Sequence, residues 1–356
     1  MRRLAAGAAL LAVLLSGCAA AGGQGAAPAS STAAPATSAA AEPQPTTVDP
    51  RTLTGPSTAH AVAEPAPIAD PEPQLPVTAT GVDGVTVEVA DVSRTLALDL
   101  HGTLTETVIA LGLADVLVGR ANTSTEAAVA SLPVVTQNGH ELQAEAILGL
   151  APTFVIMDDT MGPPEVPEQL RASGVPVLVV SSERGVDRIA EQILVVAGAF
   201  GVPDAGQALV DDFQERLGAA ERRVSALAGE WEPLRMAFLY VRGTGSVFFV
   251  MGEGSGADDL IAAIGGVDAA TGAGVQDIAP ATAEAVLSID PEVILTMTGG
   301  LASTGGVEGF VGRPGVSDTV AGQAQRIVDM ADGDVLSFGP SYPEVLVALA
   351  EAVYAP

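Results

Sequence analysis

From about residue 92 onward the apolar positions fall into two rhythms. Short β-branched and aliphatic runs read as strands, and longer stretches with apolar residues three and four apart read as helices. VSRTLALDL (92–100), VPVLVVSS (175–182), RMAFLYVRG (235–243) and VFFVMG (247–252) are of the first kind, the last two joined by a GTGS turn into a hairpin. TETVIALGLADVLVG (105–119) predicts a helix with Thr105 as its N-cap, followed by a strand. Residues 186–200 and 205–227 carry helical spacing, the second with Leu209, Phe213, Leu217 and Ala220 as its inward stripe. AEAILGLAPTFVIM (144–157) and AEAVLSIDPEVILT (283–296) align without a gap, each predicting a short helix, a proline stop and a strand.

These elements predict an α/β fold of two similar Rossmann-like lobes, 91–184 and 233–356, joined by a long rigid helical spine over 185–232. Strands alternating with helices argue for mainly parallel sheets, with a ligand cleft between the lobes outside the strand ends. In the opening strand of the second lobe, residues two apart share a face, which puts Phe238, Tyr240 and Arg242 together.

The N-terminal part has a different texture. Residues 1–18 carry two arginines, a short apolar run and then Leu-Ser-Gly-Cys, a secretory signal whose end resembles the lipobox of bacterial lipoproteins. Cys18 is the only cysteine, so a disulfide is excluded and lipidation at Cys18 is the expected anchor to the outer face of the cytoplasmic membrane. Residues 19–90 are rich in Ala, Pro, Ser and Thr and predict a disordered tether, with His60 inside it and without a role. The net charge of −28, with 15 arginines and no lysine, argues against nucleic acid and anionic lipid as partners. Beyond the signal, no apolar run approaches the roughly 20 residues of a spanning helix.

Thr105-Glu106, ALG (110–112), LVGR (117–120), AEAILGLAPTFVI and FGP (338–340) resemble the substrate-binding proteins of iron-complex and cobalamin ABC importers. Within that superfamily, Tyr240-Val241-Arg242 with Gly139-His140 resembles the HmuT-like haem-binding lipoproteins of actinobacteria. The resemblance implies ferric haem b as the transported ligand and an ABC permease with its ATPase as partners. It further implies a monomer attached to the membrane only by lipid, with upstream surface haem-binding proteins as donors. It also implies a glutamate in each lobe for permease arginines: Glu145 in the first, while in the second the matching helix carries Asp258 and Asp259.

The residue chemistry agrees. Ferric iron is a hard acid, and a phenolate is a hard donor whose formation a neighbouring guanidinium favours. Tyr240 is therefore the candidate axial ligand and Arg242 its tuning partner. A solvated strand-end tyrosine, and an arginine paired with a surface acid, are the plainer readings. His140 is the second candidate ligand, with His101, in the loop after LALDL, as its rival. Thr123, Ser124, Asn138, Ser181 and Phe338 are candidates for the haem pocket. A ferric-siderophore or cobalamin binder is the alternative within the same fold. No GxSxG, HExxH or P-loop is present, so no enzyme is expected.

Overall fold

The structure is a computed structural model that describes residues 48–137, 140–245 and 247–356. The signal segment, Cys18, the first part of the expected tether, Gly139 and Asn138 lie outside the described residues.

In the first lobe, Thr95–Leu98, Phe154–Asp158 and Val177–Val180 form a parallel sheet in that order. Every residue of these strands is buried, which explains their unbroken apolar runs. Thr105 is not the N-cap. The helix runs Thr103–Ala110 with Gly102 at its cap, and the Asp99 carboxylate accepts from the backbone N–H groups of Gly102 and Leu104, at 2.7 and 3.0 Å. Thr105 lies inside the first turn and donates to the Ala97 carbonyl at 3.0 Å. The strand expected after this helix reduces to one bridge between Leu117 and Thr95.

The second lobe holds a mixed sheet. Ser57–Thr58, Ile327–Met330, Val293–Met297 and Arg235–Arg242 run parallel, and Val247–Met251 and Ile278–Pro280 continue the sheet antiparallel. The strand that carries Tyr240 therefore stands where parallel pairing gives way to the hairpin.

The internal repeat extends to backbone and caps. The first copy folds as helix Ala144–Gly149 and strand Phe154–Asp158, the second as helix Ala283–Ile289 and strand Val293–Met297. Ala151 and Asp290, equivalent in the alignment, are both left-handed, with φ of 46° and 40°. An arginine at the start of each lobe satisfies the helix's last carbonyls: Arg94 donates to Leu150 and Ala151, and Arg235 donates to Ile289 and Asp290.

Residues 48–90 are not free tether. Arg51 donates to Glu292 and to the carbonyls of Glu232 and Pro233, Ser57–Thr58 adds an edge strand, and the hairpin Val77–Thr80 with Thr86–Val89 covers the first lobe. Backbone pairing to an existing sheet edge needs few apolar residues, which is why composition did not reveal it.

The spine is the 26-residue helix Pro203–Ala228, preceded by Ile189–Ala199. Leu209, Phe213 and Ala220 are buried and Leu217 partly so, as the stripe predicted. Arg216 and Arg223 pair with Glu344 and Glu351 on the closing helix Tyr342–Tyr354, each at 2.8 Å. One apolar core runs from the first lobe through this helix into the second.

Candidate functional site

Alternation in the strand Arg235–Arg242 sorts its side chains as expected. Phe238 and Tyr240 pack toward one core, while Ala237, Leu239 and Val241 enter another. Tyr240 is partly exposed opposite Phe249 of the hairpin, and among the described residues no group hydrogen-bonds its hydroxyl. The Arg242 guanidinium lies over the Tyr240 ring, 5.0 Å from the centroid. Its Nη2 is 2.6 Å from Asp332 Oδ2 and donates to Met297 Sδ at 3.4 Å. Asp332 Oδ1 accepts from the Gly299 N–H at 2.7 Å. A Cβ at Gly300 would stand 2.9 Å from Arg242 Nη1 and 2.7 Å from the Val241 carbonyl, so a glycine lets helix Thr298–Ser303 approach. The positive charge beside Tyr240 is thus shared with a carboxylate, which sequence pattern did not reveal.

The histidines belong to the other lobe. His140 is exposed in the turn between Thr136–Gln137 and Glu141–Leu142, with its carbonyl accepting from the Gly162 N–H at 3.1 Å. His101 is partly buried in the bend after Thr95–Leu98. Burial first, and the Arg184 charge second, hold it well below the ordinary histidine pKa, so its imidazole is neutral.

The pocket candidates divide. Thr123 is partly exposed and donates to the Asp99 carbonyl at 3.1 Å. Ser181 is partly exposed and lines a cavity of about 220 Å³ with Asp99, Thr103, Asp158 and Arg184. Ser124 is fully buried and donates to the Thr105 hydroxyl at 2.9 Å, which makes it interior packing. Phe338 is 1% exposed and stacked on Tyr342, with ring centroids 4.8 Å apart, so it presents no wall to a cleft.

Thr105-Glu106 and FGP, far apart in the chain, meet at the seam between the lobes. Glu106 accepts from the Ser337 hydroxyl at 2.7 Å and from the Ser341 N–H at 2.6 Å. Burial raises its pKa despite these bonds. A cavity of about 200 Å³ beside it is also lined by Glu64, Glu126 and Asp334. Burial pushes Glu126 up to about 8, with the charges of Glu106, Asp99 and Glu64 adding. On the other side, Arg184 Nη2 stands 3.6 Å from Asp158 Oδ2, and its Nη1 donates to the Leu336 carbonyl of the second lobe at 3.4 Å.

Of the docking acids, Glu145 is exposed in the first turn of Ala144–Gly149. Asp258 is engaged by its own loop, accepting from the Gly254 and Gly256 N–H groups at 2.9 and 3.1 Å, whereas Asp259 is exposed. Glu284, exposed in the first turn of Ala283–Ile289, stands where Glu145 stands in the first copy. The repeat alignment held that signal.

Residues 100–332 match the periplasmic binding protein family. No curated protein sequence matches the chain. Among solved structures, the chain is 44% identical to the heme-binding protein HmuT over 87% of this chain and all of that one, with a TM-score of 0.84. Structures of three HmuT alanine variants, at an arginine, a histidine and a tyrosine, match equally. The periplasmic heme-binding protein RhuT from Roseiflexus sp. RS-1, in apo form, is 36% identical over 74% of this chain and 98% of that one, with a TM-score of 0.68. Periplasmic heme-binding protein BhuT in complex with two hemes is 32% identical over 73% and 99%, with a TM-score of 0.65.

Proposed function

The chain belongs to the periplasmic binding protein family, and on that premise we propose that it captures ferric haem b outside the cell and delivers it to an ABC permease. The observation that carries this is Tyr240: a partly exposed phenol, unengaged by the protein, beside a guanidinium, in a chain 44% identical to a heme-binding protein. HmuT was solved as alanine variants at a tyrosine, a histidine and an arginine, the three residue types that Tyr240, His140 and Arg242 supply here.

Haem enters between the lobes. The Tyr240 oxygen gives ferric iron a hard anionic donor, and Arg242 favours its ionised form. His140 supplies the imidazole on the opposite face. As an exposed residue in a short hairpin it reaches a ligand without disturbing the core, whereas His101 offers a neutral imidazole deeper in the same lobe. Thr123 and Ser181 are placed to meet polar edges of the ligand. Cys18 carries the lipid that holds a monomer to the membrane surface, where upstream haem proteins hand over their cargo. Glu145 and Glu284, with Asp259, face permease arginines, and the permease's ATPase drives uptake.

Hemin added to the haem-free protein should produce a Soret band, and its absence would defeat the reading. Tyr240→Ala should weaken binding by roughly two orders of magnitude or more, since it removes the anionic ligand. His140→Ala should alter the spectrum more than His101→Ala, and the reverse result would exchange their roles. Glu145→Ala with Glu284→Ala should abolish stimulation of the reconstituted ATPase and leave hemin binding intact.

A further inference from the structure

The contact between Arg242 and Asp332 is built from several sides. Asp332 is oriented by the Gly299 N–H on one oxygen and by Arg242 on the other, at 2.7 and 2.6 Å. Arg242 in turn fits the space left by Gly300 and touches Met297 Sδ at 3.4 Å. Both side chains are more than a third exposed, 35% and 37%, so this arrangement adds little to stability. Its other consequence is electrostatic. Phe238 shares the face of Tyr240 and Phe249 stands opposite it, so among the described residues the charges set against this phenol are Arg242 and, through it, Asp332.

The geometry points to Asp332 as a positioning residue that holds Arg242 flat over Tyr240 and offsets its charge, making the phenolate a moderate iron ligand. This rests on the haem reading above. A lone guanidinium favours a phenolate strongly, but paired with a carboxylate at 2.6 Å it acts as a near-neutral dipole whose pull falls off faster with distance. A carrier must release its cargo to the permease. A ligand bond weakened by a fixed counter-charge shortens the time haem is held.

The test begins without haem. Burial pushes Tyr354 up to about 12 and Tyr342 higher still, so the tyrosinate absorbance that develops first with rising pH reports Tyr240, the third of three tyrosines. In Asp332→Asn that first transition should move to lower pH than in the wild type, and Asp332→Glu should restore it. With hemin bound, Asp332→Asn should transfer haem to apomyoglobin roughly three- to tenfold more slowly, as a modest gain in phenolate character requires. An unchanged or upward-shifted transition in Asp332→Asn overturns the assignment, as does an Asp332→Glu that behaves like Asp332→Asn. If no form binds hemin, the haem reading fails while the titration still decides what Asp332 does to Tyr240.

Discussion

In the first lobe Arg184 lies near Asp158 at 3.6 Å, whereas in the second Arg242 meets Asp332 at 2.6 Å. The first group is closed off: Asp99 is 2% and Asp158 3% exposed, and the Arg184 side chain 11%. Burial there outweighs attraction for all three charges. It raises Asp99, raises Asp158 to about 7 and lowers Arg184, even though the arginine opposes both carboxyl shifts. Water reaches the second pair, which costs little to keep charged. The difference teaches which of two similar clusters is available for tuning a ligand. The buried one holds protons and a seam, and the half-exposed one shapes the field at Tyr240.

The largest effect should come from Arg184→Met, which leaves two buried carboxyls without their cation. A loss of about 3–5 kcal/mol, or roughly 10 °C in Tm at pH 8, is expected by thermal melting. The loss should shrink at pH 5, where those carboxyls are protonated, and an unchanged melt at pH 8 would remove the contrast. Next comes the pH profile. Asp158 and Glu126 have folded pKa values raised above their unfolded ones. The stability they contribute is complete below their unfolded values and is lost as pH climbs through about 7 and about 8. Glu126→Gln should therefore melt about 3–6 °C above the wild type at pH 9 and level with it at low pH, below the unfolded value. Arg242→Gln is the smallest, below about 1 kcal/mol and within about 2 °C, while hemin binding weakens. If it melts as low as Arg184→Met, the two clusters are not the different environments described above.

Much of this architecture was legible in the chain. The β-branched runs, the stripe Leu209, Phe213, Leu217 and Ala220, and the face shared by Tyr240 and Arg242 follow from local periodicity, and each was found in place. What periodicity cannot carry is the partner supplied from far along the chain. Glu106 meets Ser337 and Ser341 more than 230 positions away, and Arg242 meets Asp332 ninety away. Ser124 and Phe338 read as polar and aromatic pocket lining, yet burial turns one into a hydroxyl link and the other into a stacking partner for Tyr342. Thr105 failed as a cap for a local reason: Asp99 reaches the same N–H groups first. Glu284 was in plain view in the repeat.

The continuous core through Pro203–Ala228 constrains how such a molecule exchanges its cargo. Prying the lobes apart would expose packed side chains from Leu209 to Leu227, and no hinge in the ordinary sense divides them. Residence time then passes from mechanics to coordination chemistry: what is held leaves when a metal–oxygen bond breaks, at a rate written into the few atoms around one phenol.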